Sequence, residues 1–214
     1  MKQDLSNKRI DYSKNKIDFT AIEENPLKMF NVWFGYAIES ELISEAYAMT
    51  LSTIGQDGFP KSRVVLLKEF NADGFVFYTN YESDKGQSIL ANPKVCLSFF
   101  WDKLEQQVII KGIAEKVSEE MSDTYFAKRP KGSQIGAIVS NQSAEVPFEE
   151  DLEAMADELA QRYADEEISR PKHWGGFIVK PYEIEFWQGR PSRLHDRLSY
   201  RLEEGNWVCK RLFP

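Results

Sequence analysis

The chain divides into segments whose apolar residues recur with either helical or strand spacing. Asn25 is a favourable N-cap and Pro26 suits a first helical position, so a helix is predicted from there. Its apolar face carries Phe30, Trp33, Phe34, Ala37 and Ile38. A later acidic segment repeats this spacing with Phe148, Leu152, Met155, Leu159 and Tyr163. Shorter helices are predicted over residues 85–91 and 118–128.

Strand patterns occupy most of the remaining chain. Strands are predicted over residues 46–54, 62–69, 75–80, 95–101, 106–117 and 174–187, with a hairpin over 198–212. Short turns between successive strands favour antiparallel pairing, and five such strands with a helix between them suggest a closed or nearly closed barrel. The simplest architecture is an N-terminal arm over residues 1–20, followed by one α+β domain over residues 21–214.

Composition narrows the classes of function. The formal net charge of -7 argues against a nucleic-acid partner, which would need a basic face. The polar N-terminus and the lack of long apolar runs predict a cytoplasmic protein with no membrane partner. With only 2 His and 2 Cys, no metal site is predicted. Cys96 and Cys209 are expected to be two buried reduced thiols, although a disulfide stays open.

Cationic side chains stand in unusual places for an acidic chain. On a regular strand Arg63 and Lys68 would point to opposite faces, and each would either meet an anion or reach water at a strand end. Further along the chain, a set of polar side chains could bind a phosphate ester. Alternatively, they simply cap and flank helix ends. The set comprises Tyr78, Thr79, Ser83, Lys85, Tyr125, Arg129 and Ser133.

The densest cluster lies in residues 185–197, E-F-W-Q-G-R-P-S-R-L-H-D-R. On an alternating strand Arg193, His195 and Arg197 would share one face and repel one another without an anionic partner. A solvated hairpin edge is the alternative interpretation, and it accounts for any one arginine better than for the cluster.

These residues belong to motifs that occur in a fixed order along nearly the whole chain. They are R-V-V-L-L-K at 63–68, F-Y-T-N at 77–80, K-R-P-K-G-S-Q-I-G at 128–136, S-N-Q-S at 140–143, W-G-G-F at 174–177, E-F-W-Q-G at 185–189 and R-L-H-D-R at 193–197. The series closely resembles the pyridoxine/pyridoxamine 5′-phosphate oxidases. The resemblance implies an α+β fold, an FMN-binding antiparallel split β-barrel with flanking helices, and a homodimer with a C-terminal dimerisation segment at about 174–214.

The resemblance also implies roles for individual residues. The expected FMN contacts, some of them given by the second subunit, are Arg63, Val64, Val65, Leu66, Leu67, Lys68, Tyr78, Thr79, Lys85, Gln107, Gln142, Ser143, Trp187 and Arg197. The expected substrate-phosphate contacts are Lys68, Tyr125, Arg129 and Ser133. Arg193 and His195 are the expected catalytic residues over the reactive carbon, and Arg9 and Tyr12 resemble arm residues that close over the substrate.

The implied reaction oxidises pyridoxamine 5′-phosphate or pyridoxine 5′-phosphate to pyridoxal 5′-phosphate by hydride transfer to the flavin. Dioxygen would reoxidise the flavin to give hydrogen peroxide, and the amine would release ammonia. Two departures from the family pattern matter: Asp84 stands where a basic residue is common beside the FMN phosphate, and Ile10 replaces a basic arm residue. The alternatives are another split-barrel flavoprotein, such as a flavin reductase-like enzyme, and a non-catalytic pyridoxal-phosphate carrier.

Overall fold

The computed structural model describes residues 3–214. Five α-helices are present in that range: α1 Pro26–Glu39, α2 Asp84–Ala91, α3 Glu119–Lys128, α4 Lys131–Val139 and α5 Leu152–Arg162. The strands are β1 Ala48–Ile54, β2 Pro60–Leu66, β3 Glu69–Asn71, β4 Gly74–Asn80, β5 Lys94–Trp101, β6 Gln106–Lys116, β7 Trp174–Gln188, β8 Asp196–Glu203 and β9 Asn206–Leu212. Strand neighbours follow the order β2-β1-β5-β6-β7-β4-β3, and β8 pairs with β7 and with β9.

The chain forms two compact units, and several strands contribute residues to both. Of the described residues, unit 1 comprises 3–50, 97–111 and 182–214, whereas unit 2 comprises 51–96 and 112–181.

Unit 2 is built around the antiparallel pairing of β4 with the first half of β7. In that register Tyr78 lies opposite Gly176 and Thr79 opposite Gly175. The two glycines are required there because a Cβ atom would overlap neighbouring aromatic side chains, at 2.8 Å from the ring of Tyr78 for Gly176 and against the hydroxyl of Tyr81 for Gly175. The close pairing of β4 with β7 therefore places Gly175 against the ring of Tyr81 and Gly176 against the ring of Tyr78.

A hydrophobic cluster in unit 2 packs against helices α3 and α4. Phe126 of α3 and Ile135 of α4 pack with Trp174 at the start of β7. The amide of Gln134 donates to the carbonyl of Phe126 at 2.8 Å and so ties α4 to the end of α3. This cluster fixes the helix ends that carry several of the predicted site residues.

Unit 1 is held by α1 and by the hairpin of β8 and β9. The ring of Phe30 is fully buried and lies 5.3 Å from that of Phe99, and Trp33 packs edge-on against Phe186 at 5.2 Å. The second half of β7 pairs antiparallel with β8, so that Trp187 lies opposite Arg197. The predicted hairpin is confirmed, but its first strand begins two residues earlier, at Asp196.

Several predictions for local structure were wrong. Arg193, His195 and Arg197 do not share a strand face, because residues 191–193 form a short 3-10 turn and Ser192 and Arg193 adopt positive φ angles of 55° and 62°. Pro191 opens that turn and ends the alternation. The second half of the K-R-P-K-G-S-Q-I-G motif forms α4, a helix that the sequence interpretation lacked.

Other corrections concern burial. Phe148 is fully exposed because α5 begins only at Leu152, with Asp151 as its N-cap. Ile38 was expected on the buried face of α1 but is about half exposed. Cys96 and Cys209 form no disulfide, and neither thiol is buried as expected: Cys96 is partly exposed and Cys209 is exposed.

Within residues 3–214, no helix combines the length and the apolar character that crossing a membrane would need. The division into an arm over residues 1–20 and one domain over residues 21–214 stays a prediction.

Candidate active site

A cavity of about 490 Å³ in unit 2 collects many of the predicted site residues. Its lining combines cations, hydroxyl groups and aromatic rings, which suits an anionic ring compound. The predicted residues found there are Val64, Val65, Leu66, Lys68, Tyr78, Thr79, Lys85, Tyr125, Arg129, Ser133 and Gln142. Asn80, Lys128, Pro130 and Trp174 complete it.

Arg129 is the cation in this cavity with the clearest need for an anion. Its guanidinium stacks over the indole of Trp174 at 4.6 Å. Its Nη1 atom is buried, and no acceptor among residues 3–214 receives a hydrogen bond from it. Burial lowers the pKa of the Arg129 guanidinium below its usual range, yet an arginine stays charged in proteins. A buried, unpaired donor on a charged group is costly, and an anionic ligand in the cavity would remove that cost.

Three aromatic rings form a stacked wall beside Arg129. Tyr78 and Tyr125 stack at a centroid distance of 3.9 Å with 10° between their planes, and Tyr125 lies nearly parallel to Trp174 at 6.1 Å. Burial is the main cause that raises the pKa of both tyrosine hydroxyls, so they stay protonated and can donate hydrogen bonds at neutral pH. Ser133, on the first turn of α4, adds a hydroxyl group.

Lys85, a predicted cofactor contact, lines another part of this cavity. Its ammonium group contacts three neutral oxygens, on Gln142 at 2.7 Å, Thr79 at 3.2 Å and Ser83 at 3.3 Å. Over the described part of the chain it forms no ion pair with a carboxylate. Burial first, and then the charge of Arg63, lower the pKa of the Lys85 ammonium. A phosphate group would therefore fit here, because it would compensate a half-buried cation whose hydrogen bonds all go to neutral oxygens.

Arg63 lies near the N-terminus of α2 but does not line the cavity. Its Nη1 donates to the hydroxyl of Thr53 at 2.8 Å and to the carbonyl of Lys61 at 3.0 Å, which fixes the guanidinium. Asp84, the first residue of α2, pairs with Lys61 at 3.0 Å and with Arg63 at 3.6 Å. Lys61, a residue that the sequence interpretation did not single out, is thus the nearest cationic partner of this carboxylate.

A second cavity, of about 530 Å³, lies in unit 1 and collects the predicted arm and catalytic residues. Arg9 and Tyr12 from the arm line it together with Arg193 and His195. The backbone N–H of Arg190 donates to Nδ1 of His195 at 3.0 Å, so the neutral ring carries its proton on Nε2. Burial first, and the charge of Arg193 second, lower the pKa of His195, which keeps the ring neutral at pH 7.

The remaining predicted residues lie outside both cavities. Arg197 forms a two-pronged ion pair with Glu185, at 2.8 and 3.0 Å, and its Nη1 donates to the carbonyl of Phe213. Gln107 donates to Ser98 at 3.4 Å. Leu67 is buried, Ser143 is exposed with a φ of 77°, and Trp187 packs against His195 at 4.6 Å.

Comparison with known proteins identifies the family. A family model described as "Pyridoxamine 5′-phosphate oxidase" matches residues 39–164, and one described as "Pyridoxine 5′-phosphate oxidase C-terminal dimerisation region" matches residues 174–214. The chain belongs to the pyridoxine/pyridoxamine 5′-phosphate oxidase family.

Curated members of this family match the chain from end to end. The protein called pyridoxine/pyridoxamine 5′-phosphate oxidase in Flavobacterium psychrophilum is 52% identical over 99% of this chain and 100% of its own length. The relative of the same name in Christiangramia forsetii is 50% identical over 100% of both chains.

Solved structures support the fold. PhzG from Burkholderia lata 383, in complex with tetrahydrophenazine-1-carboxylic acid, matches with a TM-score of 0.87 and 27% identity over 94% of this chain and 100% of its own. A pyridoxamine 5′-phosphate oxidase-related, FMN-binding protein of Nostoc punctiforme matches with a TM-score of 0.71 at 13% identity over 90% of this chain and 100% of its own. The fold is therefore the antiparallel split barrel of the oxidase family, with flanking helices, as predicted.

Sequence reasoning missed four residues that line these two cavities or hold groups near them. Trp174 forms the end of the aromatic wall, and Lys61 neutralises Asp84. Arg190 orients His195, and Glu105 holds the arm beside the second cavity. Trp174 lies in the W-G-G-F motif and Arg190 in the cationic cluster of residues 185–197, so the signal was present in the sequence, but only the packing shows what each side chain contacts.

Proposed function

We propose that this protein oxidises pyridoxamine 5′-phosphate and pyridoxine 5′-phosphate to pyridoxal 5′-phosphate, with FMN as cofactor and dioxygen as electron acceptor. The amine reaction consumes one water and one dioxygen and releases ammonia and hydrogen peroxide. The alcohol reaction consumes one dioxygen and releases hydrogen peroxide. Full-length relatives at about half identity carry this activity in their names, which supports the proposal.

The observation that carries the proposal is the buried, unpaired Nη1 atom of Arg129 in a cationic and aromatic cavity. A substrate phosphate would accept from Arg129, from the hydroxyl groups of Tyr125 and Ser133, and from Lys68. Charge-assisted hydrogen bonds of this kind are about twice as strong as neutral ones. They would anchor the substrate at its phosphate and leave the pyridine ring to be oriented by other groups.

The residues beside α2 fit the phosphate and ribityl chain of FMN. Lys85 and Arg63 supply positive charge, while Thr79 and Gln142 supply hydrogen-bonding side chains. When bound, FMN would supply the acceptor for a hydride from the 4′ carbon of the substrate. The chain itself contributes binding and orientation, and the cations reduce the cost of negative charge near the ring.

Arg193 and His195 are proposed to act on the substrate near its reactive carbon. The neutral ring of His195 presents an Nε2–H donor, since Nδ1 is engaged by the backbone of Arg190. Arg193 is exposed and extends from a turn with positive φ, which directs a guanidinium into the second cavity. Arg9 and Tyr12 are proposed to cover the bound substrate.

The family's C-terminal dimerisation region supports the further proposal that the protein is a homodimer. In this proposal, residues of both subunits contribute to each site. Cytoplasmic location stays a prediction from the polar N-terminal sequence.

The test is an anaerobic absorbance titration of the FMN-reconstituted protein with pyridoxamine 5′-phosphate. The flavin band should bleach, and admitting air should restore it with formation of the aldehyde. Bound FMN that never bleaches would contradict the oxidase and favour another flavoprotein. Failure to bind FMN would contradict it too and favour a pyridoxal-phosphate carrier.

Two variants separate the proposed roles. Arg129→Ala should raise KM about 30- to 150-fold, because it removes charge-assisted hydrogen bonds worth about 2–3 kcal/mol. Arg193→Leu should lower kcat sharply while FMN stays bound. Arg162→Ala is the matched control, since Arg162 is exposed and its one ion pair among residues 3–214 is with Glu158 on α5. An Arg129→Ala variant with unchanged KM would contradict the proposal that Arg129 binds the substrate phosphate.

A further inference from the structure

Glu105 has an unusual combination of conformation and burial. It follows the 3-10 turn of residues 102–104, adopts a φ of 57°, and its side chain is almost fully buried, with 5% of the residue exposed. A left-handed conformation is strained for a residue other than glycine, and a buried carboxylate is costly unless donors satisfy it. Residues that carry such costs are usually retained because their interactions compensate for the strain and the burial.

The carboxylate of Glu105 meets the N-terminal arm. One of its oxygens accepts from the backbone N–H groups of Ser13 at 2.8 Å and Lys14 at 3.0 Å. The ammonium of Lys14 donates to the carbonyl of Lys103, next to this turn. The arm residues that follow Tyr12 are therefore held by a charged, buried acceptor.

The backbone of Glu105 meets the segment that leads to the catalytic residues. Its carbonyl accepts from the N–H of Gly189 at 2.7 Å and from the amide of Gln188 at 3.2 Å. Gly189 also lies against the arm, because a Cβ atom there would come within 2.7 Å of the ring of Tyr12. Arg190 then donates to the carbonyl of Asn15 at 3.0 Å.

We propose that Glu105 is a positioning residue that fixes the arm over the second cavity, so that Arg9 and Tyr12 face Arg193 and His195. Its carboxylate binds the arm, and its backbone carbonyl binds the segment that leads to Arg193 and His195. One residue therefore sets the distance between the arm and that segment. The inference rests on the proposed function, because the arm is expected to contact the substrate. It adds a residue to which no role in the reaction had been assigned.

The main test compares Glu105→Ala with Glu105→Gln in the full-length, FMN-loaded protein. Glu105→Ala should raise KM for pyridoxamine 5′-phosphate about tenfold, which corresponds to about one lost charge-assisted hydrogen bond. Both kcat and FMN affinity should stay within about twofold, since the arm holds substrate rather than cofactor. Glu105→Gln should recover most of the loss, because an amide oxygen can still accept from Ser13 and Lys14.

A second measurement, limited proteolysis, tests how firmly the arm is held and does not depend on enzyme activity. Trypsin can cut after Arg9, Lys14 and Lys16, and the fixed arm should protect these bonds in the wild type. Glu105→Ala should accelerate their cleavage while the rest of the chain stays intact. Gly189→Ala should do the same by displacing Tyr12, which provides a second variant if Glu105→Ala folds poorly. Glu115→Ala is the matched control, because that exposed carboxylate pairs with Lys180 and does not touch the arm.

A double-mutant cycle decides whether Glu105 acts through the arm. If it does, adding Glu105→Ala to a Tyr12→Ala protein should raise KM far less than it does in the wild type. Additive effects would overturn the inference, as would a Glu105→Ala protein with wild-type KM and wild-type arm protection. A Glu105→Gln protein as impaired as Glu105→Ala would also overturn it. A wild type that never bleaches its flavin would instead refute the proposed function and leave the proteolysis result standing.

Discussion

Asp84 stands at a position where the resemblance to the family predicts a basic residue. Its carboxylate lies between Lys61 and Arg63, at 3.0 and 3.6 Å, and all three side chains border the helix terminus proposed for the FMN phosphate. Arg63 does not depend on Asp84 for its position, because Thr53 and the carbonyl of Lys61 hold its Nη1. The dominant effect of Asp84 on a bound phosphate should therefore be repulsion.

Asp84→Asn should tighten FMN binding about two- to threefold. The change removes a partly exposed negative charge near a phosphate, and interactions of exposed charges are typically worth up to about 1 kcal/mol. Quenching of FMN fluorescence in a titration would measure it, and the gain should shrink in high salt. Asp157→Asn, on solvent-facing α5, is the control. Weaker FMN binding by Asp84→Asn would mean that Asp84 organises Lys61 and Arg63 rather than opposing the phosphate.

At the residue scale, sequence reasoning grouped side chains that lie together but did not predict how they pack. The motifs named Arg129, Tyr125 and Ser133 together, and the structure places them in one cavity. The stacking of Tyr78 on Tyr125 was invisible because the two lie on a strand and a helix that are distant in sequence. Long-range pairs of this kind leave no periodic signal.

At the element scale, the strands were predictable because alternation of apolar and polar residues reports a half-buried sheet directly. Helix α4 was not, since Gly132 and Gly136 lower helix propensity. That helix is stabilised by tertiary packing, with Ile135 in the cluster of Phe126 and Trp174. Three-residue β3 was too short to show alternation.

Two glycine substitutions test this account of the elements. Gly74→Ala should lower the free energy of unfolding by about 2–4 kcal/mol, because φ is 149° there and a Cβ atom would overlap the carbonyl of Val179. Gly136→Ala should raise it by about 0.5–1 kcal/mol, because nothing lies near its Cβ position and alanine favours helix α4. Urea denaturation measures both. Equal effects of the two substitutions would contradict the account.

At the scale of the whole molecule, the groups proposed for phosphate binding and those proposed for the reactive carbon line different cavities. Arg129 belongs to the first, and Arg193 to the second. The dimerisation region matched at residues 174–214 contains Arg193 and His195. This arrangement makes the proposed sharing of each site between two subunits directly testable.

At a substrate concentration that saturates the wild type but lies well below the KM of Arg129→Ala, mixed dimers of Arg129→Ala and Arg193→Leu chains should recover activity that neither variant shows alone. If each site takes Arg129 from one subunit and Arg193 from the other, a mixed dimer has one site with both defects and one intact site. Random mixing in equal amounts should then restore about a quarter of wild-type activity, because about half of the dimers are mixed. Co-expression of differently tagged chains, followed by an oxidase assay, measures this. Activity no higher than the mean of the two variants would mean that each site draws both residues from the same subunit.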